Sequence, residues 1–282
     1  MAVVQYRMAK QIAVPGAQER RNILGGVKQW VGAAARVLVP STCLSCDEVT
    51  ASDGAVCPAC WQKFHFLSPP VCDVTGAPFS YDLGQGALSA EAIANPPDFD
   101  RARSALLYTP PARRLVSRLK YSDDTALARW MAQWMQRAVQ EVLEAEGELC
   151  SQAPLTVMPV PLHRKRLAQR RYNQSAELAR ALVRGSERDL LFDPETLVRH
   201  RATPAQVGLG QTARQRNVAG AFRVPEERRI AVAGRPVLLV DDVLTTGATV
   251  NACSRTLKRA GASRVLVVTF ARVPHGGFDA AL

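Results

Sequence analysis

The segment VLLVDDVLTTGAT, residues 237–249, carries the clearest structural signal in the chain. Its first four residues form an apolar, β-branched run of the kind that makes a buried strand. Two acids, Asp241 and Asp242, follow the run, and small hydroxyl residues around Gly247 then precede a stretch with helical periodicity. The segment therefore predicts a buried strand, an acidic strand end and a tight turn into a helix.

The turn has the composition of an anion-binding loop. Backbone N–H groups of a small, glycine-containing turn converge on an anion, and the N-terminus of the following helix adds positive potential. We expect a phosphate to be held by Thr245, Thr246, Gly247, Ala248 and Thr249. Asp241 and Asp242 would repel that phosphate at contact distance, so we expect them to bind sugar hydroxyls or to lie near a divalent ion.

Two other interpretations compete for this segment. A strand that ends in two acids also holds magnesium in P-loop ATPases, but the chain contains no Gly-x-x-x-x-Gly-Lys-Ser/Thr motif. An ordinary strand, turn and capped helix explains a lone Thr-Thr-Gly, but not its combination with a double acid.

Strands and helices alternate along the second half of the chain. Strands are predicted at 155–161, 196–199, 220–224, 236–240 and 264–273, and helices at 173–184 and 249–260. Upstream, the patterns predict a strand at 103–108 and helices at 112–121 and 124–146. The alternation indicates an α/β fold with an open, mostly parallel sheet flanked by helices, which binds ligands at the carboxyl ends of its strands.

Four cysteines near the N-terminus form two Cys-x-x-Cys pairs: Cys43, Cys46, Cys57 and Cys60. Two such pairs a short hairpin apart indicate a tetrahedral zinc site, because each pair offers two sulfurs from one tight turn. A module this small has too little core to fold alone, and metal binding supplies free energy of folding. We expect a closed, structural zinc site rather than disulfides or a redox dithiol.

Positive charge is concentrated in two stretches. The 282-residue chain has a formal charge of +11, and residues 163–184 and 199–229, with seven Lys or Arg each, account for all of it. Such a local field favours a phosphorylated small molecule, a nucleic acid, or both, while a solvated basic face competes for the outermost arginines. No apolar run approaches the roughly 18 residues of a membrane span, so none is expected.

The segment 237–249 resembles the fingerprint of type I phosphoribosyltransferases, which bind 5-phosphoribosyl 1-pyrophosphate (PRPP). With the cysteine pairs and the stretches PVPLHRKR (159–166), RYNQSAELA (171–179) and RNVAGAF (216–222), the chain resembles the ComF (ComFC) family of competence-related proteins. We therefore expect four parts: a tail and amphipathic helix (1–37), the helix indicated by apolar residues at helical spacing from Ile23; a zinc-binding module (38–80); a connector and helical hood (81–154); and a type I phosphoribosyltransferase-like domain (155–282).

The resemblance also implies roles for individual residues. Asp241 and Asp242 would hold the ribose hydroxyls, and the turn 245–249 would hold the 5-phosphate of PRPP. A pyrophosphate loop would contain Pro161, His163 and Arg164, and a mobile basic loop would contain Arg199, Arg201, Arg214 and Arg216. Arginines and Mg²⁺ at the leaving pyrophosphate would lower the barrier to its departure. The sequence contains no obvious candidate for a catalytic base.

The sequence departs from the family pattern at two places. A further Cys-x-x-Cys is common after the first two pairs, whereas here Cys72 is followed by Thr75, which favours one zinc ion rather than two. A glycine is usual where Arg171 stands, with phenylalanine in place of Tyr172, so we expect an altered loop there.

The implied function is that of a cytoplasmic PRPP-binding protein that assists DNA uptake in natural transformation, with single-stranded DNA and a competence helicase as partners. The alternative is an active phosphoribosyltransferase that transfers ribose 5-phosphate to an unidentified nitrogen nucleophile. Tyr172, Phe222 and Trp61 are candidates for base stacking, although packing explains each of them better. A pure zinc-dependent interaction module explains neither Asp241 nor Asp242.

Overall fold

The computed structural model describes residues 40–121, 125–147, 154–204 and 210–274. Its helices are α1 Pro58–Trp61, α2 Ala90–Ala94, α3 Pro110–Tyr121, α4 Thr125–Glu146, α5 Arg164–Arg170, α6 Gln174–Arg184, α7 Gln211–Val218 and α8 Ala248–Arg259. Its strands are β1 Arg101–Leu107, β2 Leu155–Pro159, β3 Leu190–Phe192, β4 Val198–Arg199, β5 Phe222–Arg223, β6 Pro236–Leu244 and β7 Arg264–Arg272. The amphipathic helix predicted within 1–37 lies outside the described residues.

Five strands form one sheet in the order β1-β7-β6-β2-β3, and every neighbouring pair is parallel. The open parallel sheet predicted from the alternation of strands and helices is confirmed. The two short strands β4 and β5 pair only with each other, in an antiparallel ribbon beside the sheet. The acids of β6 therefore lie in the central strand of the main sheet.

Both faces of the sheet are covered by helices. Alternate residues of β6 enter different cores: Leu238 and Val240 pack with α3, α4 and α6, while Val237 and Leu239 pack with α8. A strand buried on both faces is expected to be an unbroken apolar run, as this one is. Both faces of the sheet are therefore packed against helices, and the carboxyl ends of its strands are where polar groups can lie.

The outer edge of β1 is covered by residues 40–80, called the cysteine-containing module below. The N–H of Leu67 donates to the carbonyl of Ala105 at 3.0 Å, and the N–H of Ala102 donates to the carbonyl of Val74 at 2.7 Å. Covering an edge strand in this way satisfies its backbone groups and prevents pairing with other chains. The module is therefore attached directly to the sheet.

Several elements differ from their prediction. β6 continues through both acids to Leu244, and Pro110 and Pro111 begin α3 rather than belonging to a connector. The elements α5, α7 and β3 were not predicted: α5 buries no residue and β3 has three residues. Apolar periodicity cannot reveal such elements, because they lack an apolar face of sufficient length.

No helix within the described residues is both long enough and apolar enough to cross a membrane.

Gly76 supports the attachment of the cysteine-containing module to β1. It has a φ of +65°, and an added Cβ would lie 2.5 Å from the carbonyl oxygen of Ala102. We predict that Gly76→Ala lowers the free energy of unfolding by about 2 kcal/mol or more, since the left-handed conformation alone costs about 1–2 kcal/mol. Denaturant unfolding measures the loss. Gly234→Ala is the control, because Gly234 has a φ of +71° in open space, and equal losses in both variants would contradict the prediction.

Candidate ligand-binding site

Asp241 and Asp242 are buried at the carboxyl end of the central strand. Asp241 is 9% exposed and Asp242 is 5% exposed. Adjacent acids in a strand point to opposite faces, but both line the same cavity above the sheet edge. Two carboxylates removed from water need nearby donors or cations to remain stable.

Lys120 supplies one such cation. Its Nζ lies 2.9 Å from Asp242 Oδ2, although the oxygen accepts no well-directed hydrogen bond. Burial disfavours the charged ammonium, but the carboxylates of Asp242 and Asp241 outweigh burial and raise the pKa of Lys120. Lys120 therefore stays protonated and reaches the acids from α3, outside the segments in which sequence reasoning placed the site. No local motif marked it.

Asp241 is held by hydrogen bonds. The hydroxyl of Ser175, at the start of α6, donates to Asp241 Oδ1 at 2.8 Å, and the N–H of Asp242 donates to the same oxygen at 2.9 Å. Burial, together with repulsion from Asp242, nevertheless raises the pKa of Asp241 to about 7. A strongly shifted carboxyl group in a cavity is a frequent property of functional sites.

The predicted phosphate turn connects β6 to α8. Gly247 has a φ of +72° and caps α8 without a side-chain hydrogen bond, so the first N–H groups of that helix have no partner within it. The Thr246 hydroxyl is buried and has no hydrogen-bond partner. Thr245 and Thr249 line the cavity beside the acids, and Ala248 is buried at the first turn of α8. This geometry is suited to an anion.

The cavity has a volume of about 670 Å³. Besides the acids and Lys120, the charged side chains in its wall are Arg166, Arg170, Arg199 and Arg214. Among the residues that the structure describes, the Nε atoms of Arg199 and Arg214 are buried and find no hydrogen-bond partner. Burial lowers the pKa of Arg199, and the charge of Arg166 adds to this effect. An anion in the cavity would stabilise these cations.

The residues predicted for a pyrophosphate loop lie beside this cavity. Pro161, His163 and Arg164 line an adjoining cavity of about 560 Å³, and Leu162 and Arg199 line both. The ring of His163 caps α5, where its Nδ1 accepts the N–H of Lys165 at 3.2 Å. Its Nδ1 is therefore committed to the backbone in this structure.

The predicted basic loop is only partly brought to the cavity. Arg199 and Arg214 line it, whereas Arg201 donates to the carbonyl oxygens of Asn217 and Ala219. Arg216 is exposed on α7 and is not part of the cavity wall. Residues 205–209, inside the predicted loop, lie outside the described residues.

The four paired cysteines converge. The Sγ atoms of Cys43, Cys46, Cys57 and Cys60 all lie within 4.8 Å of one another. Zinc–sulfur bonds of about 2.3 Å place the sulfurs of a tetrahedral site roughly 3.8 Å apart, so the donor set fits zinc. Four thiolates leave no open position for chemistry. The zinc ion of this cluster is therefore structural.

Comparison with known proteins agrees with both parts of this architecture. Residues 34–93 match the double zinc ribbon domain, and residues 178–280 match the phosphoribosyl transferase domain. The DNA utilization protein YhgH of Salmonella typhimurium is 32% identical over 232 residues, covering 81% of this chain and 96% of that protein. The chain belongs to the ComF family. Competence protein F of Haemophilus influenzae is 27% identical over 231 residues, covering 82% of this chain and 96% of that protein.

A solved structure, the allosteric regulatory enzyme of purine biosynthesis, is 17% identical to the chain with a TM-score of 0.33. The match covers 55% of this chain and 30% of that protein.

Arg171 stands where the resemblance to the ComF family leads us to expect a glycine. Arg171 itself adopts the left-handed conformation, with a φ of 65° and a ψ of −24°, at the C-terminus of α5. A side chain in this conformation costs about 1–2 kcal/mol relative to glycine. Asn173 after Arg171 caps α6 and donates to the carbonyl of Val160 at 3.0 Å. The hydroxyl of Tyr172 donates to the carbonyl of Leu119, a structural contact.

The raised pKa of Asp241 predicts how stability depends on pH. The unfolded chain ionises this group near pH 3.8 and the folded chain near about 7, so the folded state binds more protons in this window and loses stability as pH rises through it. Asp241→Asn should remove that loss and make the variant relatively more stable at pH 8 than at pH 5.

Denaturant unfolding between pH 5 and pH 8 measures the effect. The surface variant Glu144→Gln is the control, and the difference between variants is the relevant quantity because zinc release at low pH affects both. A pH slope in Asp241→Asn equal to that of the control would contradict the assignment.

Proposed function

We propose that the chain is a cytoplasmic PRPP-binding protein of the ComF type that assists the handling of incoming DNA. PRPP would occupy the cavity of about 670 Å³, with its ribose hydroxyls at Asp241 and Asp242. The names of the relatives, a DNA utilization protein and a competence protein, support the DNA role. The domain match to phosphoribosyl transferases supports the ligand.

The observation that carries the PRPP proposal is a set of buried polar atoms with no hydrogen-bond partner around one cavity. In the part of the chain that the structure describes, they are Arg199 Nε and Arg214 Nε in the cavity wall and Thr246 Oγ1 in the turn whose Thr245 lines the cavity. Buried polar groups are normally hydrogen-bonded, and each unsatisfied one costs about 1–3 kcal/mol. A ligand with phosphates for the Thr246 hydroxyl and the two arginines would satisfy all three, and its hydroxyls would bond to the acids.

In this proposal PRPP contacts three groups of residues. The acids lie on β6, the phosphate turn follows at the start of α8, and the arginines lie in β4 and α7. Ribose would then lie between a 5-phosphate at the turn and a pyrophosphate at the arginines. Lys120 would balance the acids before PRPP enters, and Mg²⁺ bound with PRPP would neutralise part of the pyrophosphate charge.

Calorimetric titration with PRPP and Mg²⁺ tests this proposal. We expect binding by the wild type and a loss of at least about a hundredfold in Asp241→Asn/Asp242→Asn, because each charge-assisted hydrogen bond is worth about 1.5–3 kcal/mol. Asp100→Asn is the control: Asp100 accepts the N–H of Val265 at the amino end of β7, far from the cavity.

A second variant separates binding from folding. Thr246→Val removes the buried hydroxyl but keeps the side-chain shape, so it should weaken PRPP binding without destabilising the free protein. Wild-type protein that shows no heat with PRPP and Mg²⁺, or acid variants that bind like the wild type, would refute the proposal.

The proposed DNA contact is the basic surface beside the cavity. α5 contains Arg164, Lys165, Arg166 and Arg170 and buries no residue, and α7 presents Arg216 to solvent. Tyr121 is 77% exposed at the cavity wall, with the guanidinium of Arg170 5.7 Å from its ring centre. An exposed aromatic ring among arginines suits the stacking of a base from single-stranded DNA. Phe222, in contrast, is buried under Arg199.

Retention of a labelled single-stranded oligonucleotide at several salt concentrations tests this contact. Lys165→Gln/Arg216→Gln should weaken binding and reduce the slope of log affinity against log salt by about 0.7 for each lost phosphate contact. Lys258→Gln/Arg259→Gln, at the far end of α8, removes the same charge as a control. Tyr121→Ala should weaken binding by about tenfold or more, with the slope unchanged. Equal effects of both charge variants would refute the assignment.

An active phosphoribosyltransferase is the second candidate function. The observation that favours it is Asp241, whose raised pKa of about 7 lets a carboxyl group in the cavity exchange a proton near neutral pH. The two candidates differ in one readout: pyrophosphate release after PRPP is mixed with a metabolite extract supports turnover, and PRPP that stays intact while bound supports a binding role.

A further inference from the structure

The backbone of residues 71–78 repeats that of residues 42–49, which contain the first cysteine pair. Each segment is closed by an isolated antiparallel bridge between its ends. The same two backbone hydrogen bonds occur in each: Cys43 N to Glu48 O at 2.7 Å and Asp47 N to Cys43 O at 3.2 Å, Cys72 N to Ala77 O at 2.7 Å and Gly76 N to Cys72 O at 2.8 Å. Asp47 and Gly76 both have a φ of 65°. The backbone of the second segment therefore has the conformation of a zinc-ribbon knuckle.

The correspondence continues into the second half of each ribbon. The N–H after each first cysteine donates to a carbonyl two residues before a helix cap: Leu44 N to Ala55 O at 2.9 Å and Asp73 N to Ala87 O at 2.8 Å. The caps are Cys57 for α1 and Ser89 for α2. Each cap then donates its N–H to the first cysteine sulfur: Cys57 N to Cys43 Sγ at 3.3 Å, Ser89 N to Cys72 Sγ at 3.2 Å. Residues 71–94 thus form a complete second ribbon.

This correspondence assigns the second set of ligand positions. Cys43, Cys46, Cys57 and Cys60 correspond to Cys72, Thr75, Ser89 and Ala92. One thiolate, two alcohols and a methyl group cannot form a tetrahedral zinc site. The match to a double zinc ribbon domain implies a second metal, but the residues in its place do not fit one.

Hydrogen bonds within the second ribbon replace part of what a metal would supply. The Ser89 hydroxyl accepts the N–H of Ala92 at 3.2 Å, and the Thr75 hydroxyl accepts the N–H of Ala77 at 3.4 Å. The two hydroxyl side chains that stand in place of cysteines therefore accept hydrogen bonds from the nearby backbone. Cys72 is fully buried.

Two arginines of the sheet bring to the second ribbon the positive charge that a zinc ion would otherwise supply. Arg103 and Arg272, 8% and 4% exposed, lie in β1 and β7. Arg103 donates to the carbonyl of Asp73 at 2.9 Å, and Arg272 donates to the carbonyl of Thr75 at 2.6 Å. These bonds join the knuckle to two neighbouring strands. In a metal-bound ribbon, by contrast, the cross-link is internal to the module.

We propose that residues 71–94 are a metal-free zinc ribbon, held to the sheet by Arg103 and Arg272 in place of an ion, and that the protein binds a single zinc ion at its first ribbon. The two ribbons then respond differently to zinc. Loss of the ion unfolds the first ribbon, and the second remains docked on β1.

Zinc content measured by elemental analysis of the purified full chain tests the ligand assignment. The wild type should contain one zinc per chain, and Thr75→Cys/Ser89→Cys/Ala92→Cys should contain two. Thr75→Ser/Ser89→Thr/Ala92→Ser changes the same positions without adding thiols and should stay at one. Two zinc ions in the wild type, or one in a folded triple-cysteine variant, would overturn the proposal.

A variant of the first ribbon locates the single ion. Cys43→Ser/Cys46→Ser should abolish zinc binding in the wild-type background and should leave one zinc in the triple-cysteine background. Retention of zinc by Cys43→Ser/Cys46→Ser in the wild-type background would show that the second ribbon binds metal after all.

Hydrogen exchange tests the role of the arginines. A chelator should remove protection from residues 42–60 but not from residues 71–94. Arg272→Met should expose residues 71–94 while zinc content stays at one. The matched control is Arg118→Met, because Arg118 contacts the first knuckle through Asp47 at 2.6 Å, and it should not affect 71–94. Loss of protection in both ribbons on chelation would refute the independence of the second one.

Discussion

Two carboxylates buried side by side in the central strand impose the main constraint on this structure. Asp241 and Asp242 are adjacent in β6, so their mutual repulsion and their burial must be offset by other groups. Lys120 of α3 and Ser175 of α6 meet this need from two different elements. The helices over this face of the sheet are therefore part of the site, because without them the acid pair would lack its cation and its donor.

The arginines extend the same electrostatic arrangement across the cavity. Those in β4, α5 and α7 face the acids, and two of them keep a buried Nε without a partner. Such groups raise the free energy of the empty protein and lower it when an anion enters. The concentration of positive charge in two stretches of sequence thus has a partial structural counterpart: Arg166, Arg170, Arg199 and Arg214, from those stretches, line the cavity.

The elements that sequence reasoning predicted share an apolar periodicity. β6, β7, α4 and α8 each bury a long face, so their residues repeat at the spacing of a strand or a helix. α5 and α7 lack such a face, since α5 buries no residue and most of α7 is exposed, and the strand β3 is too short to show a pattern. The left-handed Arg171 was also not predicted, because a residue other than glycine rarely adopts a positive φ.

The sequence by itself determined the α/β class, because strand and helix patterns alternate along the second half of the chain. It also determined the four zinc ligands and the acid pair with its turn, because each depends on spacing within one short segment. The tertiary structure alone decided the partners of those acids: Ser175 lies 66 residues from Asp241, and helix packing brings them together. It also decided the identity of the second ribbon. Hydrogen bonds and helix caps define that ribbon, and backbone geometry of this kind survives the replacement of the cysteines that would have marked it in the sequence.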